Sequence, residues 1–334
     1  MASDKGKGGL DRVLVLEVAR VTEVAAIAAA RWRGKGQNKA ADKAAVDAMR
    51  RELGRLNIRG RVVIGEGEMD EAPMLYIGEK VGTGEGPEVD IAVDPLEGTT
   101  ICAKDMPNAL AVIAIAEKGG LLNAPDMYMR KIAVGPGYPE GIIDLDRPVP
   151  DVLNDMARVK GCPVSEITAC ILDRPRHADI IAEVRKAGAG ARLIPDGDIA
   201  GVIWTTDPAE TGVDIYLGSG GAPEGVLAAA ALRCIGGQMQ GRLALDLHDP
   251  KERPDLVKRA QAMGITDMER KYSMAEMACD DVIFSATGVT TGSLLHGVQF
   301  RGDFAETETV VMRSKSGTVR RIKTTFRNVG MKVA

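Results

Sequence analysis

Two carboxylates and two hydroxyls occur within seven residues in the segment Asp94-Pro95-Leu96-Glu97-Gly98-Thr99-Thr100. The apolar run at 89–93 precedes it and predicts a strand, so Asp94 would project into the crevice above a sheet. Pro95 and Gly98 predict a tight turn that returns Glu97 to the same point. Two hard oxygen ligands at this spacing suit Mg²⁺ or Mn²⁺. The predicted helix start at 98–100 suits a phosphate, and a capped turn without function is the alternative.

A second acidic segment, Gly65-Glu66-Gly67-Glu68-Met69-Asp70-Glu71, follows a predicted strand at 62–64. Its four acidic side chains would repel one another unless cations neutralised them. A solvated acidic loop is the alternative. Because each segment places carboxylates beside glycine at a strand end, together they predict one metal centre.

Two further segments have the chemistry to bind phosphate and sugar. The glycine-rich run Gly218 to Glu224 precedes an alanine-rich helix and resembles a phosphate cradle, although a plain turn is the alternative. It is not a Walker loop, and no GxGxxG lies between a strand and a helix. The arginines of Asp173-Arg174-Pro175-Arg176-His177 could bind a second phosphate or be solvated at a helix start. Asp196 and Asp198 could bind sugar hydroxyls or turn the chain.

Composition excludes several other classes of protein. The 334 residues carry a formal net charge of −4, which lacks the basic footprint of a nucleic-acid binder. No run of 18 apolar residues predicts a membrane span, and no signal peptide is recognisable. Five cysteines without a CxxC pair and three unclustered histidines predict neither a disulfide framework nor a zinc site. The sequence therefore predicts a cytoplasmic protein.

The elements that position these residues follow a layered α/β pattern. Hydrophobic residues make up 45% of the chain and aromatics 3%, so small aliphatic side chains would let helices pack closely on sheets. Periodicity predicts helices at 14–32, 40–56 and 176–187. It predicts strands at 62–64, 89–93, 111–116, 192–194, 202–204, 213–217 and 281–286, and a hairpin of 310–313 with 318–321. The Gly- and Pro-rich stretch 135–150 predicts a loop or domain junction.

These residues, taken together, resemble the class II fructose-1,6-bisphosphatases, bacterial enzymes of the lithium-sensitive sugar and inositol phosphatase superfamily. The resemblance covers about residues 10 to 325. Asp-Pro-Leu-Glu-Gly-Thr at 94–99 is typical of the whole superfamily, and Gly-Glu-Gly-Glu-x-Asp-Glu-Ala-Pro-Met-Leu at 65–75 of class II. Further matching blocks lie at 36–46, 77–81, 124–129, 174–177, 196–198, 220–225 and 311–319.

The resemblance implies a role for each of several residues. It implies the metal ligands Asp42, Glu66, Asp94, Glu97 and Glu224. It implies that Thr99 orients or activates the attacking water. As a separate hypothesis of mechanism, Asp70 or Glu68 would accept the proton of that water. Substrate contacts would come from Glu97, Gly98, Thr99, Tyr128, Arg174, Pro175, Arg176, Asp196, Gly197, Asp198 and Gly221. At 36–39 this chain reads Gly-Gln-Asn-Lys where many relatives read Gly-Asp-Lys-Asn, so no role is inferred for Lys39.

The resemblance also implies the fold and the reaction. The expected fold is the layered helix–sheet sugar phosphatase fold, with an N-terminal metal-binding subdomain at 1–165 and a C-terminal subdomain at 166–334. The expected reaction is Mg²⁺- or Mn²⁺-dependent removal of the 1-phosphate of fructose 1,6-bisphosphate, in gluconeogenesis or the Calvin cycle, by a homotetramer. Sedoheptulose 1,7-bisphosphate is a second expected substrate. The alternatives are an inositol- or nucleotide-type monophosphatase and a non-catalytic phosphosugar-binding protein.

Overall fold

A computed structural model describes residues 10–67 and 73–327, and within these ranges the chain forms ten α-helices and fourteen strands. The helices are α1 Leu14–Ala30, α2 Asn38–Leu53, α3 Thr99–Ala103, α4 Val149–Lys160, α5 Ala178–Lys186, α6 Asp198–Trp204, α7 Pro208–Thr211, α8 Ala222–Ile235, α9 Arg253–Ala262 and α10 Met274–Met277. Short 3₁₀ turns are Val164–Glu166, Pro175–His177 and Leu245–Leu247. None of the described helices is both long and apolar enough to cross a bilayer.

The strands form two mixed sheets. They are β1 Arg59–Ile64, β2 Lys80–Val81, β3 Glu88–Glu97, β4 Leu110–Glu117, β5 Tyr128–Val134, β6 Thr168–Leu172, β7 Gly190–Ile194, β8 Ile215–Gly221, β9 Gln238–Leu243, β10 Tyr272–Ser273, β11 Val282–Gly288, β12 Gln299–Arg301, β13 Phe304–Arg313 and β14 Thr318–Arg327. The first sheet has the order β12-β13-β11-β4-β3-β1-β2, with β14 paired to β13. The second has the order β10-β9-β5-β8-β6-β7.

Helices and sheets alternate as layers. The pair α1 and α2 covers one face of the first sheet, and α8 lies between the two sheets. Helices α4 and α5 close the outer face of the second sheet. This order of layers confirms the predicted α/β class, and the run Ala228–Ala231, fully buried in α8, supplies the small side chains that let two sheets approach one helix.

Strand β4 illustrates why this core forms. Its alternate residues Val112 and Ala114 face α8, while Ile113 and Ile115 face α1 and α2. A strand with both faces covered reads as a continuous apolar run rather than an alternating one, as predicted for 111–116. The pairing of β4 with β3 and β11 places Leu110, at the start of β4, beside Glu97 and Gly288.

Most predicted elements are confirmed, but the strand predicted at 202–204 was wrong. Residues 202–204 belong to helix α6 rather than to a strand. Every residue of α6 is buried, so its composition cannot be distinguished from that of a buried strand, and Gly197, at φ 84°, precedes its start. The segment from Gly218 to Gly221, interpreted as part of a phosphate cradle with a plain turn as the alternative, extends β8, where Gly221 pairs with Tyr128 of β5.

The two sheets do not follow a simple division of the chain. Strand β5 belongs to the second sheet, and β11 to β14 return to the first. The subdomain boundary near residue 165 stays a prediction. The predicted loop at 135–150 is irregular until α4 begins at Val149. It connects β5, a strand of the second sheet, to α4, which packs on the same sheet.

Candidate metal and phosphate site

A β-bulge at the end of β3 brings Asp94 and Glu97 together. Asp94 pairs with Val112 and Glu97 with Leu110, so three steps along β3 correspond to two along β4. Positions three apart in a regular strand face opposite sides, and the extra residue of a bulge turns both to the same side. The predicted tight turn is therefore a bulged strand, which ends at Gly98 in the left-handed conformation at φ 82°.

Glu224 completes a carboxylate triad from the opposite side. Ligand oxygens of Asp94, Glu97 and Glu224 all lie within 4.8 Å of one another. Glu224 stands in the first turn of α8, directly after β8 of the second sheet. Its Oε2 is buried and has no hydrogen-bond partner among the described residues, and a Cβ at Gly221 would lie 1.8 Å from that oxygen. A glycine thus makes room for a carboxylate oxygen that a cation can satisfy.

All five predicted metal ligands line one cavity of about 340 Å³. Asp42 reaches it from α2, and Glu66 from the segment after β1. The chain can turn there because residue 65 is glycine: a Cβ would lie 1.9 Å from the carbonyl oxygen of Leu75. Gly98, Thr99 and Asp196 also line the cavity. Asp126, which lies in the matching block at 124–129 but was assigned no role from the sequence, is a further carboxylate in the lining.

Burial and mutual repulsion make the ionised carboxylates costly. Burial, then the charges of Asp42 and Asp94, raises the pKa of Glu66 to about 8. Burial raises the pKa of Asp94 to about 6 and, with Asp198 next, that of Glu224 to about 7. The pKa of Glu97 is held well above its ordinary value, first by burial and then by Asp94. Hard oxygen donors in this number fit Mg²⁺ or Mn²⁺, whose charge would relieve both costs.

Thr99 carries a hydroxyl at the edge of this cavity. It is the first residue of α3 and is half-buried. Across residues 10–67 and 73–327 its hydroxyl has no protein partner, whereas that of Thr100 accepts a hydrogen bond from Asn38 at 3.0 Å. The Thr99 hydroxyl is therefore free to contact a ligand. The candidate proton acceptors Glu68 and Asp70 lie at 68–72, outside the described residues.

Tyr128 and Arg176 form one unit beside Gly221. The guanidinium carbon of Arg176 lies 4.6 Å from the centroid of the Tyr128 ring. Arg176 Nη2 also donates to the carbonyl of Ser219 at 2.8 Å. The Tyr128 N–H donates to His248 Nε2 at 2.9 Å, which gives this histidine a structural role. Neither Tyr128 nor Arg176 lines the carboxylate cavity itself.

Arg174 connects the arginine segment to the cavity. Its Nη2 lies 3.9 Å from Asp196 Oδ1, and its side chain is partly exposed. Pro175 begins the 3₁₀ turn that follows, and His177 anchors this turn. The imidazole Nδ1 bonds the Leu172 carbonyl at 2.7 Å, and Nε2 accepts from the Ser219 N–H at 2.9 Å. The pKa of His177 is lowered by burial, so the ring is a neutral structural anchor.

Asp198 differs from the partly exposed Asp196, because it is buried and already has partners. Its Oδ2 lies 2.5 Å from Lys131 Nζ and accepts a hydrogen bond from the Tyr216 hydroxyl at 3.3 Å. No sequence motif marked Lys131, a buried lysine in an otherwise largely apolar strand. The interruption of the apolar pattern of β5 at 131 is the only local signal for it.

The sequence matches one protein-family model and is similar to several bacterial proteins. A family model described as bacterial fructose-1,6-bisphosphatase, glpX-encoded, matches residues 12–326. Fructose-1,6-bisphosphatase 1 class 2 of Escherichia coli strain K12 is 51% identical over 321 residues, which cover 93% of this chain and 94% of that protein. The class 2 fructose-1,6-bisphosphatases of Escherichia coli O6:H1 and Shigella flexneri match with the same identity and coverage.

Proposed function

The chain belongs to the glpX-encoded bacterial fructose-1,6-bisphosphatase family, and we propose that it hydrolyses the 1-phosphate of fructose 1,6-bisphosphate to give fructose 6-phosphate and inorganic phosphate. The observation that carries this proposal is the carboxylate triad Asp94, Glu97 and Glu224, with oxygens within 4.8 Å of one another and the free Thr99 hydroxyl in the same cavity.

Asp42, Glu66, Asp94, Glu97 and Glu224 are the proposed ligands of Mg²⁺ or Mn²⁺. Their support is a shared cavity, a hard oxygen donor set and the orphaned Oε2 of Glu224. When bound, such ions neutralise phosphoryl oxygens, stabilise the leaving alkoxide and lower the pKa of a coordinated water. Titration of the protein with Mn²⁺ would measure the number of bound ions, which the identity of the ligands does not fix.

Thr99 is the proposed catalytic hydroxyl. It begins α3 directly after the bulged end of β3, one residue beyond Gly98 and two beyond Glu97, so the same stretch of backbone holds its hydroxyl beside the carboxylates. The hydroxyl would accept a hydrogen bond from the attacking water and donate to a carboxylate. We propose Asp70 as the proton acceptor, with Glu68 as the alternative.

The rest of the substrate would lie across the second sheet. Arg174 is the proposed ligand of the 6-phosphate, because its guanidinium is partly exposed and weakly paired. Arg176 and Tyr128 would form a wall, with the backbone at Pro175 and Gly221 beside them. Asp196 would accept hydrogen bonds from the sugar hydroxyls. Gly197 and Asp198 would hold the loop that carries Asp196 in place. Binding the distal phosphate would orient the scissile one.

Sedoheptulose 1,7-bisphosphate is a proposed second substrate, since it shares the 1-phosphate end and is one carbon longer. We also propose a cytoplasmic location, a homotetramer, and a role in gluconeogenesis or the Calvin cycle. The free thiols support the location: all five cysteines are unpaired, and the Cys102 thiol is buried with its pKa raised to about 11.

The test is phosphate release from the two bisphosphates and from inositol 1-phosphate, each with Mg²⁺, Mn²⁺ or EDTA. Metal-dependent release that is fastest from fructose 1,6-bisphosphate is the expected result. Faster release from inositol 1-phosphate would instead support the monophosphatase. Binding of bisphosphate without release under any metal would support a non-catalytic phosphosugar-binding protein.

A further inference from the structure

Lys131 forms a buried ion pair directly behind the carboxylate triad. Its side chain is 1% exposed and that of Asp198 is 5% exposed. The ammonium contacts Asp198 Oδ2 at 2.5 Å and the carbonyl oxygen of Gly221 at 2.8 Å. Removing two charges from water is costly unless each is closely paired, so this pair needs a reason beyond general stability.

The glycines at the junction of β8 and α8 make room for this ion pair. A Cβ at Gly220 would lie 2.1 Å from Asp198 Oδ2 and 3.1 Å from Lys131 Nζ. A Cβ at Gly225 would lie 3.3 Å from Lys131 Cδ. The glycine-rich segment thus lets the backbone approach the ion pair closely, in addition to accommodating Glu224.

The ion pair is also connected to two members of the triad. The Ile199 N–H, one residue after Asp198, donates to Glu97 Oε1 at 3.3 Å. Asp198 is close enough for its charge to raise the pKa of Glu97 and of Glu224, while the charge of Lys131 lowers that of Glu224. Asp198 is therefore a carboxylate within electrostatic reach of the metal ligands, and it is held by a cation of the protein itself.

We propose that Lys131 is a positioning residue that neutralises Asp198 and keeps this carboxylate from acting as a metal ligand. The inference rests on the proposed metal-dependent function and concerns the electrostatics of the same site. Lys131 acts as a fixed internal cation, so that the divalent ions meet one negative charge fewer. It touches neither substrate nor reacting atoms, and acts through Asp198 and the Gly221 carbonyl.

The test is Mn²⁺ affinity measured by calorimetric titration at pH 8, without substrate. Lys131→Met leaves Asp198 unpaired and is expected to tighten Mn²⁺ binding about tenfold. Asp198→Asn leaves Lys131 unpaired and is expected to weaken it about tenfold. The double variant, which removes both charges, is expected to return to within about threefold of the unsubstituted protein. Lys118→Met, at an exposed surface ion pair, is the control and is expected to leave the affinity unchanged.

Changes in Mn²⁺ affinity of opposite sign in the two single variants distinguish this role from a structural one. A merely structural ion pair predicts weaker Mn²⁺ binding in both, and that result would overturn the proposal. If Lys131→Met does not fold, Asp198→Asn, which is isosteric, keeps the proposal open to refutation, because unchanged or tighter Mn²⁺ binding in that variant would overturn it. An unsubstituted protein that binds no Mn²⁺ would overturn the metal dependence and this inference together. Mn²⁺ binding without bisphosphate hydrolysis would overturn only the proposed reaction.

Discussion

The guanidinium of Arg176 stacks on the ring of Tyr128, with its carbon 4.6 Å from the ring centroid, while its nitrogens bond Ser219. One face of the Arg176 guanidinium and two of its nitrogens therefore already contact the protein. Arg174, two residues earlier, has Asp196 at 3.9 Å as its nearest ionic partner. The two arginines are close in sequence, but only Arg174 retains most of its hydrogen-bonding capacity for a phosphate.

We expect Arg174→Gln to raise KM for fructose 1,6-bisphosphate by about 10- to 100-fold, the range of one or two lost charge-assisted hydrogen bonds. The effect on kcat should be smaller, because the guanidinium contacts the non-reacting phosphate. Steady-state kinetics separate the two parameters. Arg185→Gln, an exposed change on α5, serves as the control. An unchanged KM for Arg174→Gln would exclude Arg174 as a phosphate ligand.

Thr99→Val should lower kcat by about 10² to 10⁴, the usual contribution of a positioned proton-transfer group. The substitution keeps the side-chain shape and removes only the hydroxyl. Single-turnover phosphate release under saturating metal measures it, and Mn²⁺ titration should give an unchanged affinity. Thr100→Val is the matched control, since that hydroxyl bonds Asn38 and does not line the cavity. Near-native turnover by Thr99→Val would exclude the catalytic role.

Glu224→Gln should stabilise the metal-free protein while weakening metal binding. At pH 8 the Glu224 carboxylate, with a pKa of about 7, is ionised and has a buried oxygen that no described residue hydrogen-bonds. Neutralising it removes that cost, and we expect Tm in EDTA to rise by about 2 to 4 °C, the change produced by about 1 kcal/mol. The increase in Tm on adding Mn²⁺ should shrink. Scanning calorimetry measures both, with the exposed Glu183→Gln as control. A lower Tm in EDTA would contradict this account.

Stability of the metal-free protein should fall as pH rises from about 4 to 8. Glu66, Asp94 and Glu224 have pKa values of about 8, 6 and 7, above their ordinary values of 4.5, 3.8 and 4.5. The folded state therefore holds more protons than the unfolded state in this window, and the free energy of unfolding decreases with pH. The stabilisation from these bound protons is complete below about pH 4 and is lost as the pH rises through the pKa of each group in the folded state.

Urea unfolding in EDTA across this pH range provides the measurement. Saturating Mn²⁺ should flatten the dependence, because the ions replace the protons, and Glu66→Gln should reduce its slope. A free energy of unfolding in EDTA that stays constant or increases between pH 5 and 8 would contradict the raised pKa values.

Local patterns were sufficient to predict much of the fold. The helical spacing of Leu14, Val18, Val21 and Ala25 predicted α1, since one face of this helix is buried against the first sheet. The apolar run at 111–116 predicted β4 for the corresponding reason. Residues 202–204 were wrongly predicted as a strand, because a helix that is buried on all sides has no polar face from which its 3.6-residue period could be recognised.

Residue types and spacing alone predicted a metal centre from the acidic segments at 65–71 and 94–97, whereas Asp42 and Glu224 were predicted as metal ligands only through the family resemblance. Asp94, Glu97 and Thr99 form one short motif, and the structure brings them together with Asp42, Glu66 and Glu224. That Asp94 and Glu97 meet through a bulge depends on the register with β4, which no local pattern encodes. Lys131 was missed because its role comes entirely from contacts with residues about 70 to 90 positions away, Asp198 and Gly221.

The return of β11 to the first sheet also sets an order of events during synthesis on the ribosome. The edge of β4 that will pair with β11 stays open until 282–288 have been made. At translation rates of roughly 5–20 residues per second, the apolar β4 edge waits on the order of ten seconds for its partner. A nascent chain stalled before β11 would expose that edge to other chains, so we expect it to depend on chaperones.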